Sequence, residues 1–210
     1  MRVAALVPEL QVIALIALTS CIVVWFGWWQ RDSYVALAQP ATFDDLRRDD
    51  SPSATTIGTV TWALAGDDQT SAMLIAHIVI PGRGLDITLS IYKKIDGNLP
   101  ASHLIEIAQN DSFNSTELQI EDVSVPLVKE TTNGTVTPLN AVTAKIGNGD
   151  FRIALSPVPQ DIVANLGLLR RAREIMLPLT YASGQRGLLI FFKGPPGELL
   201  LRSALLAWAH

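Results

Sequence analysis

The sequence contains one cysteine, Cys21, and three histidines among its 210 residues. A single cysteine cannot form an intrachain disulfide, and because it lies inside a long apolar run, the rest of the chain has no thiol nucleophile and no cysteine-based zinc site. Positive charge is also scarce, since 16 Lys and Arg residues face 20 Asp and Glu residues. The net charge of −4 offers no general attraction for nucleic acid, so we expect no nucleic-acid partner.

The common catalytic and phosphate-binding motifs are missing. The sequence has no GxSxG elbow, no HExxH, no Walker A loop and no CxxC. Gly82-Arg83-Gly84 precedes a predicted strand, whereas a phosphate site needs the amides of a helix N-terminus, so we interpret it as a turn. Asp86 and Glu106 are predicted on the solvent-facing sides of strands, which gives little support for paired-carboxylate catalysis. We predict no catalytic, cofactor-binding or metal-binding residue.

The three histidines, His77, His103 and His210, show no metal-ligand spacing. A zinc site needs at least three converging ligands, and nothing near these residues supplies them. We therefore interpret His77 and His103 as buried, hydrogen-bonded core histidines. Ser102 beside His103 is not predicted to form a catalytic pair, because neighbours on a strand point to opposite faces.

The longest apolar stretch, Leu10–Trp29, contains no charged residue. Twenty helical residues at about 1.5 Å each span about 30 Å, which is the thickness of a bilayer's hydrocarbon core. Trp25, Trp28 and Trp29 gather at one end, as aromatic rings do at a membrane–water boundary. We predict an uncleaved transmembrane anchor. A buried core helix and a signal peptide cleaved after Ala38 are the alternatives.

The predicted organisation has four parts: a tail over 1–9, a transmembrane helix over 10–29, a disordered linker over 30–56 and a β-rich soluble domain over 57–210. The linker mixes Asp and Arg with Pro and Ser, and it has too little apolar surface to offset the entropy of ordering. Because Arg2 precedes the apolar run as in a signal anchor, we predict a single-pass inner-membrane protein with its C-terminal domain in the periplasm. The Lys and Arg counts of the two flanks do not themselves favour this orientation.

From residue 57 onward, apolar and polar residues alternate, as is typical of half-buried strands. The clearest cases are Val60, Trp62 and Leu64, and then Leu85, Ile87, Leu89 and Ile91. Residues 72–80 are apolar on both faces, which predicts a central strand. Gly147–Asp150 predicts a tight hairpin turn, because Asn-Gly readily takes positive φ. Short connections between successive strands indicate antiparallel pairing.

Two later segments have a helical period. Residues 160–173 end in Arg170, Arg171 and Arg173, where the helix dipole favours positive charge; an anion-binding patch for lipid headgroups is the alternative. Residues 196–210 form a second helix, which we expect to pack on the sheet, with the membrane surface as the alternative. The predicted fold class is therefore mainly β with two flanking helices, α+β, arranged as an antiparallel two-layer, sandwich-like domain.

Several segments carry a family resemblance. They are IGTVTW (57–62), LDITLSI (85–91), LPASH (99–103), LNAVTAKIGNGDFRIALS (139–156), LLRRAREIMLPLTYASGQRGLLIFFKG (168–194), PGE (196–198) and AW (207–208). Together they resemble a family of uncharacterised single-span bacterial envelope proteins of alphaproteobacterial type. The resemblance implies a cytoplasmic tail, one span and this domain outside, and it implies no catalytic residue.

These observations predict a membrane-anchored, non-catalytic envelope protein that binds or scaffolds another protein. Its expected partners are the lipid bilayer and a protein of the envelope. Two alternatives stay open: lipid or small-ligand binding inside the sandwich, and a hydrolase with an unrecognised active site. An exposed apolar patch or an open sheet edge would favour the binding module.

Overall fold

The computed structural model describes residues 37–47, 49–66, 71–95, 99–110 and 119–209. All of them belong to one compact unit, Tyr34–His210. The predicted tail over 1–9 and the predicted span over 10–29 lie outside the described residues. Within the described ranges, neither helix combines the length and the hydropathy that a membrane crossing needs.

The described residues form twelve strands and two α-helices, with a short 3-10 turn at Pro81–Arg83. The first six strands are β1 (Gln39–Leu46), β2 (Pro52–Ala65), β3 (Met73–Ile80), β4 (Leu85–Lys93), β5 (His103–Gln109) and β6 (Ile120–Val123). The others are β7 (Leu127–Lys129), β8 (Val136–Pro138), β9 (Ala141–Lys145), β10 (Asp150–Leu155), β11 (Glu174–Tyr181) and β12 (Arg186–Phe192). The helices are α1 (Pro159–Arg171) and α2 (Gly194–Trp208).

The strands form a single antiparallel sheet, and the predicted two-layer sandwich is therefore wrong. The strand order is β8-β7-β11-β12-β1-β2-β3-β4-β5-β10-β9, and β6 also pairs with β11. The sheet curls around its own inner face, and Lys145 of β9 donates to Glu121 of β6 at 2.7 Å between the two outer parts of the sheet. The mainly β, antiparallel class with two helices is confirmed.

Side-chain alternation explains why the sheet curls. Along β2, β3 and β4 every second residue faces inward, and the cross-strand partners Val60, Ile78 and Ile87 are all 0% exposed. The predicted apolar faces of β2 and β4 are thus confirmed. Residues 73–80 form a central strand as expected, but only one face is buried, because His77 on the other face is exposed. A continuous apolar face along the central strands is buried most fully when the sheet closes over it.

The predicted disordered linker over 30–56 is wrong for residues 39–46 and 52–56, which form strands. Residues 39–46 form β1, and β2 begins at Pro52, five residues before the alternation that the sequence shows. β1 pairs with β12 on one side and β2 on the other. Its inward residues Ala41 and Phe43 are 0% exposed. Few apolar residues suffice in this strand, because its neighbours β2 and β12 supply buried side chains such as Val60 and Phe191.

Both helices cross the same end of the curled sheet, which we call the helical end and which includes Gln39, Lys93 and Lys193. α1 connects β10 to β11, and its buried Asn165 accepts from the Asn140 amide at 2.8 Å and donates to the Asn140 carbonyl at 2.9 Å. α2 follows β12, and Trp208 Nε1 donates to the Ala72 carbonyl at 2.8 Å. The expected packing of the C-terminal helix on the sheet is confirmed.

The opposite end of the sheet, which we call the turn end, includes Leu46, Arg83 and Gln185. The predicted turn at 82–84 is confirmed, with Gly84 at φ 57°. The predicted hairpin between β9 and β10 is also confirmed, with Gly149 at φ 78°. β6 and β7 are separated by Pro126, and both pair with β11.

Gly187 on β12 is a sensitive position, because a Cβ there would overlap the ring of Phe43. We predict that Gly187→Ala destabilises the domain by about 1–3 kcal/mol, the usual cost of overpacking. Phe43→Leu should remove most of that cost in the double variant, although it lowers stability by itself. Urea unfolding of the full chain measures both.

Gly167→Ala in α1 is the matched control, since a Cβ there meets only the flexible end of Arg171. It should be neutral or stabilising, because Ala favours a helix over Gly by about 1 kcal/mol. Equal costs of Gly187→Ala with and without Phe43 would contradict the packing argument.

Candidate binding site

A cavity of about 740 Å³ lies on the outer face of the sheet, near the helical end. Its floor comes from two cross-strand rows of β3, β4, β5 and β10. The first row contains Met73, Tyr92 and Leu104 in register, and the second contains Glu106 opposite Arg152. The volume falls in the range of about 300–1,000 Å³ that is usual for ligand sites. The sheet register therefore places an apolar row directly beside an ion pair.

Glu106 and Arg152 form that ion pair across β5 and β10. Arg152 Nε and Nη2 both donate to Glu106 Oε1, at 2.9 and 2.7 Å. Both side chains keep contact with solvent, at 35% exposure for Glu106 and 41% for Arg152. The sequence correctly predicted a solvent-facing Glu106, but its partner is 46 residues away and had no sequence signal.

The rim of the pocket is both apolar and basic. Ile95 is 71% exposed and Leu99 is 38% exposed in the connection after β4. Lys93 and Lys94 also line the pocket, and Lys93 Nζ donates to the Trp208 carbonyl at 2.7 Å. Lys93, Lys94 and Arg152 thus bring three cationic residues to a lining that also contains Glu106. Such a lining suits an apolar group that carries a carboxylate.

His77 belongs to an exposed polar group, so the predicted buried core position is wrong. Its Nε2 lies 2.8 Å from Asp86 Oδ1, which also accepts from Asn110 Nδ2 at 2.6 Å. The His77 side chain is 45% exposed. The apolar neighbours of His77 in sequence suggested burial, but it occupies an outer-face position of β3, between the inward Ala76 and Ile78.

His103 is buried, as predicted, but the predicted hydrogen bonding is wrong. It is 4% exposed, and neither ring nitrogen has a hydrogen-bond partner among the described residues. The ring stands edge-on to Trp208 with 5.1 Å between centroids. Burial, with a smaller contribution from the positive charge of Lys93, lowers the pKa of His103 to about 4. Ser102 instead donates to the Leu155 carbonyl at 3.4 Å, so no Ser–His pair forms.

The turn end contains a cluster of hydrogen-bonded polar side chains around the buried Asp45, and no sequence signal indicated this cluster. Asp45 is 8% exposed and accepts from Arg83 Nη2 and, at 2.9 Å, from Gln185 Nε2. The Arg83 guanidinium lies 5.4 Å from the centroid of Phe43. Burial raises the pKa of Tyr181 to about 12, and the nearby Arg83 opposes that shift. These contacts fasten β1 to two turns that are distant in sequence.

Arg170 is exposed at the end of α1. This position agrees with the prediction that its positive charge lies where the helix dipole favours it. The carbonyls at this helix end are satisfied by Lys193, whose Nζ donates to Leu169 at 2.9 Å and to Arg170 at 2.7 Å. Lys193 is 1% exposed. Burial lowers its pKa to about 8, while Glu198 acts in the opposite direction. This lysine is a helix cap, because both of its observed acceptors are backbone carbonyls.

The arrangement offers little for catalysis within the described ranges. A reaction needs groups that converge on one substrate. His103 lies at the helical end and Tyr181 at the turn end, so these two buried side chains do not converge on a common ligand. No set of three or more His, Cys, Asp or Glu side chains in the described part of the chain is arranged to hold a metal ion.

We predict that Asp45→Ala destabilises the protein by about 3–5 kcal/mol, because it leaves the Arg83 charge without its partner. Asp44→Ala is the matched control: Asp44 precedes Asp45 on the same strand and accepts only an exposed bond from Thr55 at 2.6 Å. It should cost less than about 1 kcal/mol. Chemical denaturation of both variants measures the difference, and equal losses would contradict the buried ion pair.

We predict that protonation of His103 destabilises the fold in acid. Since its folded pKa lies near 4 and its ordinary value is 6.5, the unfolded chain binds the proton first as pH falls through that window. The stability contributed by the neutral ring is complete above pH 6.5, and about 3 kcal/mol of it is lost by pH 4. His103→Phe should lose this part of the pH dependence in urea unfolding, whereas Leu200→Ala should retain it. A His103→Phe protein with the wild-type acid profile would refute the assignment.

The chain was compared with known proteins at three levels. No protein-family model, no curated protein and no solved structure matches it. The resemblance to single-span envelope proteins therefore stays a prediction from the sequence segments that carry it.

Proposed function

We propose that this protein is a membrane-anchored, non-catalytic binding module of the bacterial envelope, and that its outer-face pocket receives a partner protein. The observation that carries the proposal is the pocket itself, where an apolar row lies beside cations and below exposed aliphatic side chains. Exposed apolar surface next to a concave site is typical of interaction sites.

The lining suggests what the partner presents. Met73, Tyr92 and Leu104 offer apolar contact, and Ile95 and Leu99 extend that contact above the sheet. The cations around them favour a negatively charged neighbour. A partner segment with an exposed apolar side chain flanked by Asp or Glu fits both features. Tyr92 is well suited as an anchor, because aromatic residues often dominate the energy of interfaces.

The anchor part of the proposal rests on the sequence of Leu10–Trp29, which has the length and apolar character of a single span. The chain would then be a single-pass inner-membrane protein with the β-rich domain in the periplasm. Its partners would be the bilayer and another envelope protein.

The two alternatives have less support. Ligand binding in the interior would require an apolar cavity open to solvent, but the inner face carries the fully buried Phe43, Trp62, Phe151 and Phe191. A hydrolase would require converging groups, and the polar clusters described above lie apart. The exposed His77–Asp86 pair has a hydrogen-bonded carboxylate, but the histidine faces solvent instead of a pocket.

Photo-crosslinking in native membranes tests the proposal. A benzoylphenylalanine at Leu99 of the full chain should yield a discrete protein adduct, while the same residue at Ser183, in the exposed turn between β11 and β12, should not. Arg152→Gln should lower the adduct yield on the order of tenfold, because a charge-assisted hydrogen bond to the partner is lost.

Glu106→Gln is the matched charge control, since it removes the carboxylate that binds Arg152. It should maintain or increase the adduct yield with an acidic partner. The proposal fails if Leu99 and Ser183 give the same adducts, or if Glu106→Gln and Arg152→Gln both abolish the adduct.

A further inference from the structure

The helical end is where the chain arrives from its N-terminal region. β1 begins at Gln39, and the start of α2 lies against it, since a Cβ on Gly194 would overlap the Gln39 side chain. The end of α1 is fixed at the same place, because Lys193 donates to the carbonyls of Leu169 and Arg170. The beginning of β1, the beginning of α2 and the end of α1 therefore meet.

Large aliphatic side chains are exposed on both helices at this end. Leu199 and Leu206 of α2 are 63% and 66% exposed, and they are seven residues apart, which places them on one helix face. Val163 of α1 is 74% exposed, and Leu37, just before β1, is 81% exposed. The inner faces of the same helices bury Leu169, Leu201 and Trp208 in the core. Packing of the helices on the core therefore does not account for the exposed aliphatic residues.

Exposed arginines accompany these aliphatic residues. Arg170 and Arg171 lie at the end of α1, and Arg202 lies between the two exposed leucines of α2. Arg171 donates to Glu130 at 2.9 Å, and Glu198 is one turn before Arg202 on α2. The other acidic residue on the helices, Asp161, accepts from Ser156 and Asn140 in the adjoining loop. The turn end carries Asp44, Asp45, Asp49 and Asp50 along β1 and its following turn, where Asp45 pairs with Arg83 and Asp50 with Arg186.

The connection to the predicted span is short. Nine residues, 30–38, separate Trp29 from β1. Nine extended residues reach about 30 Å at most. A surface that carries both exposed arginines and exposed leucines, attached to a predicted membrane span by so short a segment, has the composition of surfaces that lie in the headgroup region.

We infer that the helical end docks on the surface of the bilayer, with Leu199 and Leu206 among the headgroups and Arg170, Arg171 and Arg202 on the phosphates of anionic phospholipids. The inference rests on the proposed function, because the anchor brings the domain to the membrane. The docked domain presents its turn end away from the bilayer, and the outer-face pocket opens beside the bilayer surface. A partner at the pocket would then be bound close to the membrane surface.

Probe depth in nanodiscs tests the docking. In a Cys21→Ala background the full chain receives an NBD label at Leu199→Cys or Leu206→Cys, and Ile57→Cys is the matched control. Ile57 is an exposed aliphatic residue like the other two, at 78% exposure, but it lies on β2 opposite Thr42, away from the helices. Nitroxide lipids should quench the two helix probes and leave the Ile57 probe unaffected.

The lipid composition and two variants test the role of charge. Quenching should increase when phosphatidylglycerol is added to phosphatidylcholine, and each of Arg170→Gln and Arg202→Gln should lower the ratio of docked to undocked protein on the order of fivefold. Arg186→Gln at the turn end, which loses a bond to Asp50, should leave that ratio unchanged. Indifference to both phosphatidylglycerol and the arginine variants would overturn the assignment to anionic headgroups.

Failure of the docking and failure of the anchor give different results. Loss of the full chain from membranes in an alkaline wash would overturn the anchor and with it the proposed function. A chain that stays in the membrane while its Leu206 probe behaves like the Ile57 probe would overturn the docking alone. A blue-shifted but unquenched probe would mean that protein covers this surface, which also overturns the docking.

Discussion

β1 is the strand on which the architecture depends, because it is hydrogen-bonded to β12 and to β2 at the same time. Without it, β6, β7, β8, β11 and β12 would form one sheet and β2 to β5 with β9 and β10 another. The predicted sandwich is close to that arrangement without β1. One additional strand converts two layers into a single curled sheet, since backbone hydrogen bonds then continue through the middle. The curled sheet surrounds its own inner apolar face.

The curl leaves two open ends, and the chain closes them with different chemistry. At the helical end, α1 and α2 cover the core with apolar side chains, and Lys193 and Asn165 satisfy polar groups that would otherwise be buried without partners. At the turn end, Asp45, Arg83 and Gln185 form a hydrogen-bonded group around one carboxylate. A buried charge is tolerated there because its partners come from turns that the curl brings together.

The two proposals, partner binding at the pocket and docking on the bilayer, use surfaces that this fold places next to each other. The helices that close the core also provide the exposed leucines and arginines that we assign to the bilayer surface. The pocket lies on the neighbouring outer face, where the register of β3, β4, β5 and β10 aligns an apolar row with the Glu106–Arg152 pair. A binding module that holds its partner beside the membrane needs both surfaces, and the sheet supplies a rigid base for them.

The sequence by itself determined the strands whose apolar residues alternate, as at Leu85–Ile91, the hairpin at Gly149 and both helices, because those features depend on local periodicity and turn chemistry. It also placed Glu106 and Asp86 on outer faces. Tertiary structure decided what depends on distant partners: the burial of Asp45 by residues 38 and 140 positions away, the exposure of His77 and the assembly of the pocket. A strand with two inward apolar residues and a buried aspartate is stable only when its neighbours are in place, and no local pattern contains that information.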